Sequence, residues 1–168
     1  MQYFAGLILF MAAQHSNQED ITKIVPLTLT ASCKGNPTCE FTGEDMPIQI
    51  LIRNDSMSVI GLPVEYIDRT GPFIKIIDAL SKKEHRLSVN LGPEELAEKF
   101  HQIRPSESVE LDASLLASEV RTFRNEKIDL NVELVISSRV QIDGGEIVKY
   151  RAKGTFRVQG KDLLEQKK

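Results

Sequence analysis

The chain has no tryptophan, two cysteines and three histidines, and aromatic residues make up only 6% of its 168 residues. Such a supply of His and Cys leaves little from which to build a metal centre, because zinc is held by about four nitrogen or sulfur ligands, usually in closely spaced pairs. His15, His85 and His101 are scattered and read as surface residues. Catalytic signatures are missing too: there is no G-x-S-x-G, no H-E-x-x-H and no glycine-rich phosphate loop. The stretch Asp143-Gly144-Gly145-Glu146 lacks the spaced acids of a calcium loop, and a hairpin turn explains it. No catalytic residue, cofactor or bound metal is therefore expected. Charge of one sign is also not in excess: 21 basic residues stand against 24 acidic ones, for a formal net charge of −3. That balance gives no drive toward nucleic acid.

Long hydrophobic runs are scarce. Tyr3–Ala13 (YFAGLILFMAA) is unbroken and apolar, but it is shorter than the roughly 20 residues a membrane-spanning helix needs. It resembles the h-region of a secretory signal peptide, although no Lys or Arg precedes it and Met11 stands where a small residue suits cleavage after Ala13. A buried first strand or helix is the competing reading. Residues 1–16 are taken as a signal-peptide-like segment with its lead-in, residues 22–160 as a single β-sandwich domain, and residues 161–168 as a charged tail. No stable membrane span is expected in the mature chain.

What the chain has in quantity is alternation. In Lys127–Val158, Ile128, Leu130, Val132, Leu134 and Ile136 alternate with polar residues. After the turn Asp143–Glu146, Val148, Tyr150, Ala152, Gly154, Phe156 and Val158 do the same. Alternation at period two places one set on a buried sheet face and the other in solvent, and Asp-Gly supplies the positive φ angles of a tight turn. A long hairpin with one apolar face must pack against a second sheet. Further strands are expected at Ile24–Cys33, Pro47–Asn54, Met57–Leu62, Phe73–Asp78, His85–Leu91 and Glu107–Leu111. One or two helical turns are expected over Pro93–Phe100, and Ala113–Val120 reads as either a helical turn or a loop. The sum is an all-β chain: an antiparallel immunoglobulin-like β-sandwich of seven to eight strands with one or two short helices.

Cys33 and Cys39 flank the turn signal Asn36-Pro37 and are expected to form a disulfide in an oxidising compartment. A metal pair is the weaker alternative, lacking a nearby His or third Cys. The outward residues of the last strand, Lys149, Arg151, Lys153 and Arg157, form a basic stripe with no interleaved aromatics. Pairing with acids such as Asp129 and Glu133 on the neighbouring strand, and protection of a sheet edge, are the expected roles. Two connections are long enough to carry a partner site: Gly92–Pro105, and Pro63–Pro72, where Tyr66, Asp68 and Arg69 lie between prolines that stiffen the segment. Asn54-Asp55-Ser56 is formally an N-glycosylation sequon.

Three segments carry a resemblance to known proteins. Ile48–Ser56 (IQILIRNDS) is similar to an I-x-I-x-N-x-S strand and turn, Phe73–Asp78 (FIKIID) to an F-x-I-x-D strand, and Ile103–Leu111 (IRPSESVEL) to an L-x-P-G-E-S-V-x-L corner, with Ser106 in place of glycine. Over roughly residues 46–112 this order resembles the intracellular proteinase inhibitors of bacilli and the small β-domain that precedes the catalytic domain of deuterolysin-like metallopeptidases. The metallopeptidase zinc motif has no counterpart here, so the resemblance implies a sandwich and no catalytic role. The expectation is a secreted or periplasmic, non-enzymatic domain that binds a protein partner through loops, with protease inhibition as its most concrete form. A structural or assembly subunit that docks by β-edge pairing is the alternative.

Overall fold

The computed structural model describes residues 25–123 and 127–161. In chain order these form β1 (Leu27–Cys33), β2 (Glu40–Phe41), β3 (Met46–Asn54), β4 (Ile60–Leu62), α1 (Val64–Thr70), β5 (Phe73–Asp78), β6 (Glu84–Arg86), a 3-10 turn (Glu94–Glu98), β7 (His101–Ile103), β8 (Ser108–Leu115), α2 (Ala117–Arg121), β9 (Lys127–Ile142) and β10 (Ile147–Lys161). One sheet has the order β1-β3-β8, and the other runs β2-β10-β9-β4-β7 with β5 on β9 and β6 on β5. The long strand β9 serves two neighbours on one edge: β5 pairs with its Leu130–Val135 stretch, and β4 with Gln141 and Ile142.

Alternation sets the layers. Ile48, Ile50 and Ile52 of β3 and Leu130, Val132 and Leu134 of β9 are fully buried and belong to one core drawn from both sheets. Each such side chain contributes about 1.5–3 kcal/mol on leaving water. At Gly154 of β10 the two sheets approach closely. A Cβ there would lie 2.4 Å from Leu29 Cδ2 and 3.3 Å from Ala31 Cβ on β1, so the glycine at this inward position is a steric requirement. In the hairpin turn, Asp143 (φ 48°) and Gly144 (φ 71°) supply the positive angles. Asp143 also pins the turn to the start of β4: its backbone N–H donates to Val59 O at 2.8 Å, and its carboxylate accepts from Val59 N at 2.9 Å.

Cys33 and Cys39 are joined by a disulfide, with Cα atoms 5.3 Å apart. Cys33 ends β1 in one sheet and Cys39 directly precedes β2 in the other, so the bond fastens the two sheets together at one margin. Asn36 shapes the short loop, its amide donating to Glu40 O at 2.8 Å and its carbonyl accepting from Glu40 N at 3.2 Å. Closing so short a loop stabilises the fold by about 2 kcal/mol on the chain-entropy account.

Several expectations need correction. Ten strands occur among the described residues rather than seven to eight, because β2 and β7 are too short to show a periodicity. The sheets are not purely antiparallel: β2 pairs parallel with β10 at Gln159 and Gly160. Pro63–Pro72 is not an extended connection. Its middle is helix α1, begun after Pro63 with Glu65 in the first turn and Arg69 in the last, and ended by Gly71 at φ 73°. Those residues are helix-boundary signals, and the flanking Pro63 and Pro72 mask them because two prolines also suit a turn-rich connection. The strand expected over His85–Leu91 is confined to Glu84–Arg86, and Gly92–Pro105 holds the 3-10 turn and β7. Of Ala113–Val120, the first three residues extend β8 and the rest begins α2. The signal-peptide-like segment and the tail beyond Lys161 lie outside the described residues. Among the described residues no helix is long and apolar enough to cross a membrane.

Candidate functional site

On the outer face of the larger sheet, register determines which side chains meet. Ile74 and Ile76 of β5 point into the core, so Phe73 and Lys75 point out. Phe73 lies opposite Val135 of β9, Lys75 lies opposite both Glu133 of β9 and Arg86 of β6, and Ser137 of β9 lies opposite Arg151 of β10. The face therefore carries three rows at two-residue spacing: a charged row of Arg86, Lys75 and Glu133, a row of Phe73 and Val135 that ends at Lys153 of β10, and a row of Ser137 and Arg151.

Helix α1 closes one end. Gly71 turns the chain from α1 directly into β5, its N–H donating to Ile67 O at 2.8 Å. The segment after β6 returns past the helix, with Asn90 N donating to Thr70 O at 3.1 Å. Gly92 sits so close that a Cβ would lie 2.7 Å from Thr70 Cγ2 and 3.1 Å from Tyr66 Cε2. The result is a groove in two joined parts that share Phe73, Val135 and Ser137. One, about 460 Å³, extends over Lys75, Arg86, Glu133 and Arg151; the other, about 220 Å³, lies against Tyr66, Thr70 and Leu91. Its rim is apolar and open: Phe73 is 56% exposed and Leu91 100%.

Two sets of charges differ in their partners. Glu133 accepts from Lys153 at 2.7 Å and from Lys75 at 3.1 Å. The Lys153 hydrogen bond, then that of Lys75, holds its carboxyl below the usual carboxylate range. Lys75 also reaches Glu84 at 3.2 Å, and these bonds, Glu133 first, hold its ammonium above the usual lysine range. Further along, Arg157 grips Asp129 through two bonds of 2.7 Å, which lowers the Asp129 carboxyl. The cross-strand pairing expected of the basic stripe is thus present for Lys153 and Arg157. Arg151 and Arg86, at opposite sides of the groove, have no ion-pair partner among the described residues.

No protein-family model matches this chain, and no curated protein matches it in sequence. Among solved structures, it is similar to Northeast Structural Genomics Consortium target SoR45, at TM-score 0.41 and 12% identity, over 79% of this chain and 86% of that one. A β-glucosidase from Listeria innocua in complex with glucose aligns at TM-score 0.36 and 12% identity, over 80% of this chain and 16% of the glucosidase. A β-glucosidase from Erythrobacter marinus aligns at TM-score 0.32 and 9% identity, over 76% of this chain and 15% of that one.

Of the residues singled out from sequence, Tyr66 lines the groove. Asp68 and Arg69 are exposed on α1 and line neither part. Phe73, Val135, Arg86 and Arg151 were not singled out as a site. A signal for them existed: Phe73-Ile74 and Ile76-Ile77 put apolar side chains on both faces of one strand, and Val135 interrupts the polar face of β9. No cluster of three or more His, Cys, Asp or Glu able to hold a metal occurs among the described residues.

Proposed function

We propose that this chain is a secreted or periplasmic, non-enzymatic protein-binding domain on an immunoglobulin-like β-sandwich, and that it engages its partner through the groove beside α1. The observation that carries this reading is the exposure of Phe73 and Leu91 over a concavity floored by Val135. Large apolar side chains gathered in the open at a groove mark an interaction surface rather than ordinary solvent-facing strand. The disulfide supports an oxidising compartment. A protease inhibitor remains the most concrete form of the reading; with Val64–Thr70 helical, inhibition would work by covering a partner's cleft with the α1 rim, not by offering an extended reactive loop.

One further observation favours docking by β-edge pairing as a second reading. Among the described residues, β10 pairs along its whole length with β9, while its other edge pairs only at Gln159 and Gly160, leaving most of a 15-residue edge for an added strand.

Selection of displayed random peptides on the oxidised protein tests the choice. Peptides that lose binding with Phe73→Ser or Tyr66→Ala support the groove. Selected peptides indifferent to both substitutions, or an absence of enrichment, overturn it.

A further inference from the structure

The three rows across the groove have a spacing that matches an extended peptide. Side chains two residues apart on a strand are separated by about 6.6–6.8 Å and point the same way. Glu133, Val135 and Ser137 are successive outward residues of β9, and their register partners carry the rows to Arg86, Phe73 and Arg151. A peptide lying extended over the seam of β5 and β9, with an apolar side chain down on Phe73 and Val135, would hold its next two same-side residues in the Arg86 row and the Arg151 row, each about one and a half strand spacings (~7 Å) from its arginine. Both arginines lack an ion-pair partner among the described residues, whereas Glu133, the acid in the groove, is already engaged by Lys75 and Lys153. The groove therefore has uncompensated positive charge at both ends of an apolar floor. Guanidinium groups bind carboxylates through paired N–H donors, which favours acidic side chains over neutral ones there.

We infer that the groove takes an extended segment of a partner protein with the pattern acid-x-apolar-x-acid, its central apolar side chain on Phe73 and Val135 and its two carboxylates at Arg86 and Arg151. This inference rests on the proposed groove function and specifies the partner's chemistry. A second copy of the same chain is a poor occupant through β10, because the exposed face of that strand presents Lys149, Arg151 and Lys153, which would meet like charge.

The test uses the oxidised full chain and a fluorescent peptide in a Thr/Ser background with one Phe flanked at two-residue spacing by Glu. Polarisation should report binding that weakens about tenfold or more when both Glu are replaced by Gln, or when Arg86→Glu or Arg151→Glu is introduced. A peptide with Lys in place of one Glu should bind the matching reversed variant better than the unaltered protein. That rescue also shows that the variant is folded. Equal affinity for the Glu and Gln peptides, no rescue by Lys, or displacement by inorganic phosphate at equal concentration would overturn the inference. Selected peptides that depend on Phe73 but ignore both arginines would remove this inference and keep the groove; peptides that also ignore Phe73 would remove both.

Discussion

The side-chain amide of Asn54 donates to the carbonyl of Ile103 at 2.8 Å, tying the end of β3 in one sheet to the end of β7 in the other. The same amide donates to Ser58 O at 2.8 Å, and its carbonyl accepts from Ser56 N at 2.9 Å and Ser56 Oγ at 2.7 Å. Asn54 is wholly buried; its bond to Ile103 is buried and those to Ser56 and Ser58 are part-buried, and Ser58 O also accepts from Ser56 Oγ at 2.9 Å.

Removing that side chain takes the buried Ile103 carbonyl's side-chain donor and the part-buried Ser56 groups' shared acceptor at once. Asn54→Ala is expected to destabilise the fold by about 3 kcal/mol, since each orphaned group costs about 1–3 kcal/mol. Urea denaturation gives the number, and a loss under about 1 kcal/mol would show that water replaces the bonds. The Asn54-Asp55-Ser56 sequon is incompatible with this arrangement, because a glycan would take one of the two amide hydrogens in use.

Ser106 occupies the left-handed region at φ 66° and is exposed, while its N–H donates to Asn54 O at 2.8 Å. Left-handed backbone costs an L-residue roughly 1–2 kcal/mol, which glycine avoids at the expense of greater unfolded-chain entropy. Ser106→Gly should therefore be neutral or stabilise by up to about 1 kcal/mol, and Ser106→Val should destabilise. Paired thermal melts check both; a less stable glycine variant would contradict the account.

The Tyr150 hydroxyl is buried with no hydrogen-bond partner among the described residues, and burial pushes its pKa up to about 12. Deleting an unsatisfied buried hydroxyl while keeping the ring removes a desolvation cost. Tyr150→Phe is expected to raise the melting temperature by about 2–4 °C, corresponding to about 1 kcal/mol in a chain of this size. A fall in melting temperature would mean that the hydroxyl has a partner in solution.

The ion pairs on the outer face of the larger sheet define a pH window. Glu133 and Asp129 have depressed carboxyl pKa values in the folded chain. Their contribution is complete above the unfolded values near ~4 and is lost as pH falls through the folded ones. Lys75 has a raised pKa, so its contribution is complete below the unfolded value near ~10.4 and is lost as pH rises through the folded one. Stability should be flat between these limits and fall at both ends. Glu133→Gln should shallow the acid limb, seen in denaturation midpoints from pH 2 to 6 (about two units either side of ~4); an unchanged acid limb would leave the pair without a measurable role, as for many exposed ion pairs.

The chain itself determined what depends on neighbours in sequence. Period-two patterning identified β9 and β10, their inward and outward faces and the turn at Asp143–Gly144, because a strand's facing follows from backbone geometry alone. Phe73–Asp78 was bounded correctly, and Cys33–Cys39 followed from a turn that fits a bond. Local signals also marked α1, but Pro63 and Pro72 obscured them. Tertiary structure decided what depends on pairing. Nothing in the order of residues says that β9 shares one edge between β4 and β5, that β2 joins β10 in parallel, or that Asn54 spans two sheets. Those arrangements rest on long-range register, in which shifting one strand by a single residue turns every side chain to the other face. The groove is of this kind: Phe73, Val135, Arg86 and Arg151 come from four strands, and each looks unremarkable along the chain until pairing sets it beside the others.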